Sequence, residues 1–178
     1  MIALLVLQID AFGQKFAVGT NALDWIDMGT MNIEAGYAVS RHFTVVADAK
    51  YNPWTYNSGD KETQVERRQR TFSAGMRYWP WHVYSGWWIG AKGRYQEYNR
   101  GGVLGRETEE GDSYGGVLDF GYTLMLSKNF NLEFGGGVFT GGTKFKRYAC
   151  PVCGRVTGSG EEFFILPADL SVSIVLII

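Results

Sequence analysis

The chain has 178 residues, enough for one closed barrel and too few for two independent cores, so it reads as a single domain. Seventeen basic and eighteen acidic side chains leave a formal charge of -1, which removes any bulk electrostatic case for nucleic acid or for an anionic membrane surface. Twenty-four glycines and an aromatic content of 15% against four prolines suit strands and turns, and long helical heptads are absent.

The run Ile2-Ala3-Leu4-Leu5-Val6-Leu7, followed by Ala11-Phe12-Gly13-Gln14, has the apolar core and small-residue end of a secretory signal peptide. Residues 1–14 are therefore expected to be a signal-peptide remnant and 15–178 the exported domain. No stretch approaches the roughly 20 continuous apolar residues of a membrane-crossing helix, so any crossing must be made with strands.

Turn signals and alternation predict eight strands near 16–25, 30–39, 43–52, 70–79, 86–97, 114–126, 130–141 and 163–178. Connections at Ser40-Arg41-His42, at 80–85 and at Ser127-Lys128-Asn129 are tight, whereas 53–69, 98–113 and 142–162 are long and charged. That asymmetry is expected of an outer-membrane barrel with periplasmic turns and extracellular loops. The loop from Asp24 to Thr30 would be the shortest on the outer side.

The third strand shows the governing pattern. Phe43, Val45, Ala47, Ala49 and Tyr51 fall on one face, and Asp48 and Lys50 on the other. From the second strand to the eighth, one face carries no charge; in the last strand it reads Leu166, Ala168, Leu170, Val172, Ile174 and Leu176. The opposite face carries Glu34, Asp48, Lys50, Arg77, Lys92, Arg94, Asp119, Glu133 and Asp169. These nine are expected to form a paired charge network inside a narrow barrel, with a proton path or acid/base pair as the rarer alternative. Aromatic rings are expected at both interfaces: Trp79, Trp81, Tyr84, Trp87 and Trp88 at the second tight turn, and Tyr51, Trp54, Tyr56, Tyr95, Tyr98 and Tyr114 beside the long loops.

Two local motifs stand apart from the strands. Cys150-Pro151-Val152-Cys153 lies in the last long loop among Lys144, Lys146, Arg147 and Arg155. A CxxC pair can bind zinc, cycle its redox state or close a small disulfide; in an oxidising compartment the disulfide is favoured, and a metal shared with another molecule is the alternative. His42 and His82 adjoin tight turns and make no convincing catalytic set, so no catalytic, cofactor or metal residues are expected. Arg67-Arg68-Gln69-Arg70 could meet lipopolysaccharide phosphates, and Glu107, Glu109, Glu110 and Asp112 oppose it with acid.

Four segments carry a family likeness: Gly19-Thr20-Asn21-Ala22-Leu23, Tyr51-Asn52-Pro53-Trp54-Thr55, Arg77-Tyr78-Trp79 and the loop from Cys150 to Gly154. With them the chain resembles small Bacteroidetes outer-membrane barrels catalogued as a domain of unknown function, DUF3575. The resemblance implies an exported barrel in the bacterial outer membrane, often encoded beside fimbrial components, and transfers no catalytic residue. The expectation is thus an all-β, eight-stranded antiparallel up-and-down transmembrane β-barrel. It would be a non-enzymatic structural or interaction protein, without cofactor, partnered by outer-membrane lipid, lipopolysaccharide and a surface protein held through the loops, and not by nucleic acid. The alternatives are a soluble lipocalin-like binder, with the apolar faces turned inward, and a lipid A-modifying enzyme.

Overall fold

The computed structural model describes residues 15–58, 64–102, 107–150 and 154–178. The signal-peptide expectation falls outside them. Strands β1 (Phe16–Asn21), β2 (Met31–Ala38), β3 (Phe43–Asn52), β4 (Thr55–Tyr56), β5 (Val65–Tyr78), β6 (Gly86–Gly101), β7 (Thr108–Met125), β8 (Phe130–Tyr148) and β9 (Val156–Ile177) surround one short helix, α1 (Ala22–Ile26). Every pairing is antiparallel, each long strand joins its chain neighbour, and β1 pairs with β9 while β3 pairs with β5. Eight strands therefore close a ring, and the two-residue β4 continues the edge of β5 that pairs with β3.

The period-two pattern is laid into this ring inside out. In β3, Phe43 and Val45 are exposed while Thr44, Val46 and Asp48 are buried. The same holds around the wall, where Ile33, Phe72, Ile89, Leu118, Phe120, Phe134 and Ile174 all face outward. A ring this narrow fills its bore with side chains, and here much of that filling is polar.

Several expectations change. The first strand ends at Asn21 instead of residue 25, because the Asn21 side chain accepts a hydrogen bond from the Leu23 amide and caps α1. The long loops are much shorter than 53–69, 98–113 and 142–162, since β5, β6, β7, β8 and β9 run well into those segments. Both faces of the extensions are polar, so alternation gives no signal there; cross-strand pairs such as Lys144–Glu161 and Arg100–Glu109 accompany the pairing. In β9, Leu166 is opposite the buried Phe139 and Ala168 opposite Gly137, on the inner face. Two residues of β9, Asp169 and Leu170, stand against Gly136 alone, and Asp169 has a φ of 53°. This bulge shifts the frame by one, so the outer face reads Phe163 and Ile165 before it and Leu170 after it.

The turn side is sealed. Trp79, Val83, Tyr84 and Trp88 pack with Ala17, Ala38, Val175 and Ile177 in one buried cluster. Val83 and Tyr84 of the turn are buried at this end of the bore, where the Asn131 amide donates to the Tyr84 carbonyl at 2.8 Å, and beside them the Trp79 indole donates to Thr44 Oγ1 at 3.1 Å. Trp79, Tyr84 and Trp88 thus form a floor and not part of an interface belt; Trp81 and Trp87 do face outward. Tyr98 also faces the bore, its hydroxyl 3.1 Å from Glu109 and from Thr143.

Candidate functional site

All nine charges predicted for the inner face line or approach the bore, because they occupy inward positions on neighbouring strands. Lys92 on β6 lies at the centre, its Nζ 3.2 Å from Asp48, 3.1 Å from Asp119 and 3.2 Å from Asp169. Arg94 donates to both oxygens of Asp169 at 2.6 and 2.8 Å and to Ser73 at 2.9 Å, and Ser73 donates on to Asp48 at 3.0 Å. Nearer the floor, Arg77 spans the bore between Glu34 at 2.7 Å and Glu133 at 3.0 Å, with its guanidinium 4.1 Å from the Trp88 ring. Thr123 donates to the second oxygen of Glu133 at 3.0 Å.

One member of the network is not on a strand. Asp24, carried by α1, reaches Lys50 at 2.9 Å. A residue expected in an outer loop therefore enters the bore, and the helix start at Asn21-Ala22-Leu23 is the signal that could have placed it. With Asp24 there are six carboxylates, from Asp24, Glu34, Asp48, Asp119, Glu133 and Asp169, against the four cations Lys50, Arg77, Lys92 and Arg94. Asp119 is the least provided for: apart from the Lys92 ion pair, neither of its oxygens has a hydrogen-bond partner among the described residues. Its Oδ1 lies where Gly90 lacks a side chain, and a Cβ there would fall 2.2 Å away.

The bore is graded from top to bottom. A cavity of about 810 Å³ at the outer end is followed by one of about 640 Å³ bounded by Leu23, Gln69, Thr71, Gln96, Phe139 and Leu166. Within the charge network the free space shrinks to about 40 Å³, and at Trp79 and Tyr84 to about 10 Å³. One water needs about 10–15 Å³, so the described wall forms a cup with a closed base.

On the outside, one cross-strand row joins Tyr51, Arg70, Glu97, Asp112, Lys144 and Glu161. The outward row just below it, toward the floor, is Ala49, Phe72, Tyr95, Tyr114, Gly142 and Phe163. A rank of charge thus borders a rank of aromatics. Above this boundary, Glu109 ties three strands together, accepting from Tyr98 at 3.1 Å, Arg100 at 3.0 Å and Arg147 at 2.9 Å. Partial burial alone would raise the Glu109 carboxyl, but hydrogen bonds from Arg147 and Tyr98 and the Arg100 charge outweigh it and hold it below its ordinary value.

The remaining candidates lie elsewhere. Cys150 is disulfide-bonded, and the other cysteine of the chain, Cys153, lies outside the described residues. His42 Nδ1 is 2.9 Å from the Trp79 carbonyl and His82 Nδ1 is 3.1 Å from that of Val83, both at the turn end. Among the described residues no group of three or more His, Cys, Asp or Glu side chains is arranged to hold a metal ion.

No curated protein and no solved structure matches this chain. A family model does, over residues 1–178, and by that match across its whole length the chain belongs to the family described as Protein of unknown function (DUF3575).

Proposed function

We propose that this protein is a bacterial outer-membrane barrel that anchors in lipid by its outer surface and acts, without catalysis, through the hairpins and the cup that it presents outside the cell. The observation that carries the reading is the inverted wall: apolar side chains point out all round the ring, while charges, amides and hydroxyls fill much of the bore. In water such a surface would expose a continuous apolar band far larger than soluble proteins carry, and in a bilayer the same band is the stabilising surface. The rank of Arg70, Glu97, Asp112, Lys144 and Glu161 above the aromatic rank supports a lipid boundary at that level. A soluble lipocalin-like binder requires the opposite arrangement, with the apolar faces lining the cavity.

The closed floor favours binding or contact over conduction, and the outer hairpins would meet lipopolysaccharide and a surface-protein partner. A sample in mild detergent run unboiled and boiled on a denaturing gel tests the anchor. Different mobilities are expected of a folded membrane barrel. A monomer that stays in solution without detergent would overturn the reading.

A further inference from the structure

The wall of the cup has unequal heights. β9 runs for 22 residues and β1 for 6, so β1 supplies partners only from Ser173 to Ile177 of β9. From Val156 to Asp169, β9 has β8 on one side and, among the described residues, no strand on the other. The opening is a notch with α1 at its foot: Leu23 and Asp24 of the helix and Leu166, Ala168 and Asp169 of the β9 edge line the same cavity of about 640 Å³. The rank of charge meets β9 at Glu161, well above Asp169, so the lower end of this edge stands within the lipid-facing band. Backbone groups without partners at that depth do not face hydrocarbon, so the notch holds water or a polar ligand.

That cavity passes from the inner face of the wall to the outer. Inside it is bordered by Gln69, Thr71 and Gln96, and outside by Phe120, Gly136 and Leu170. Phe120 and Leu170 are 62% and 73% exposed, and Gly136 leaves a groove between them, where a Cβ would meet only Leu170 Cδ1, at 4.0 Å. The inner border is unfinished. Thr71 and Gln96 stand opposite each other on β5 and β6, Thr71 is only 3% exposed, and neither side chain has a hydrogen-bond partner among the described residues. Buried hydroxyls are normally paired, so this one marks a place for an incoming polar atom. The charges nearby are the reverse case: Lys50 pairs with Asp24, Arg67 with Asp27 and Arg94 with Asp169. A charged head entering the cup would find each counter-charge already engaged, whereas a hydroxyl-bearing head finds two open partners.

We propose that the notch is a lateral mouth through which a single-chain lipid of the outer leaflet seats an uncharged, hydroxyl-bearing head against Thr71 and Gln96, with its hydrocarbon tail outside in the groove at Gly136. The proposal rests on the membrane reading, which puts Phe120 and Leu170 in hydrocarbon. Polar groups fix the head and apolar ones the tail, the usual division of labour in a ligand site. The closed floor stops the head within the cup, so the site holds an amphiphile and does not pass it across the membrane.

Photolabelling of the full chain in phosphatidylcholine nanodiscs tests this, with a monoacylglycerol that carries a diazirine beside its head as the probe. Label is expected on cup-facing side chains around Gln96 and Leu166. Unlabelled monoacylglycerol should compete about tenfold more strongly than the acyl glycerol phosphate of the same chain. Two variants should each cut the cup label about tenfold: Thr71→Val with Gln96→Leu, which removes the open partners, and Gly136→Leu, which fills the groove and leaves the polar lining untouched. Label confined to the outward wall, equal competition by the charged head, or undiminished label in either variant would overturn the proposal. So would equal cup labelling by a tailless glycerol diazirine, which identifies a ligand taken from water. Gel mobility reports separately on the anchor, so a parent chain that keeps the folded mobility and leaves the cup unlabelled defeats this proposal alone.

Discussion

Lys92 Nζ lies 3.1 Å from Asp119 Oδ2 in the middle of the bore, and only 3% and 2% of the two side chains are exposed. The pair is not isolated, because the same ammonium also serves Asp48 and Asp169. Lys92→Met removes one cation from three buried carboxylates. Breaking a buried pair in this way costs about 3–5 kcal/mol, so Lys92→Met should lower the urea midpoint of the barrel in detergent by that equivalent. An unchanged midpoint would mean that the network is hydrated and contributes little.

Two acids on the same lysine should respond differently. Asp169 accepts two hydrogen bonds from Arg94 and also faces Lys50, whereas Asp119 accepts none among the described residues. Asp169→Asn is expected to cost about 2–4 kcal/mol, and Asp119→Asn to stay within about 1 kcal/mol of the parent, because it also relieves the excess of acid. Asparagine tolerates the positive φ at 169, so backbone strain does not confuse the comparison. Equal losses on unfolding of the two variants would show that charge number, not hydrogen bonding, sets stability.

Trp79 is 1% exposed and, with Trp88, is one of the two tryptophans of the floor. Trp79→Ala should cost about 3–5 kcal/mol and leave a hole at the narrowest level of the bore. In planar bilayers the parent is expected to show no steady conductance and the variant small, discrete openings. Steady conductance from the parent would argue against the closed floor.

The ring was legible because strands touching both an apolar exterior and a polar interior alternate with period two, as from Phe43 to Tyr51. Above the rank of Arg70, Glu97 and Lys144 both faces are polar, so the upper parts of β5 to β9 resemble charged loops and only cross-strand pairing reveals them. Simple alternation puts Leu166 and Ala168 on the outer face, but a single bulge at Asp169 reverses the frame, and no local residue type announces it. Trp79 and Trp88 read in sequence as interface aromatics because tryptophan suits a floor and a membrane boundary equally well. Asp24 entered the network through α1, whose five residues are too few for helical periodicity to show.

Glu109 allows a pH test confined to the outer rim. Its carboxyl is held below the ordinary value by Arg147, Tyr98 and Arg100, against the effect of partial burial. A group lowered in the folded state stabilises the protein above its unfolded value, about 4.3 for glutamate, and that contribution is lost as pH falls through the lowered value. Between pH 6 and 3 the outer parts of β6, β7 and β8 should therefore loosen, while the ring below them holds. A spin-label pair on solvent-facing positions at the ends of β6 and β8 reads this as a broadening of the distance distribution. Glu109→Gln should show the broad distribution already at pH 6 and little further change on acidification; a variant that still sharpens with rising pH would assign the transition to another acid of the rim.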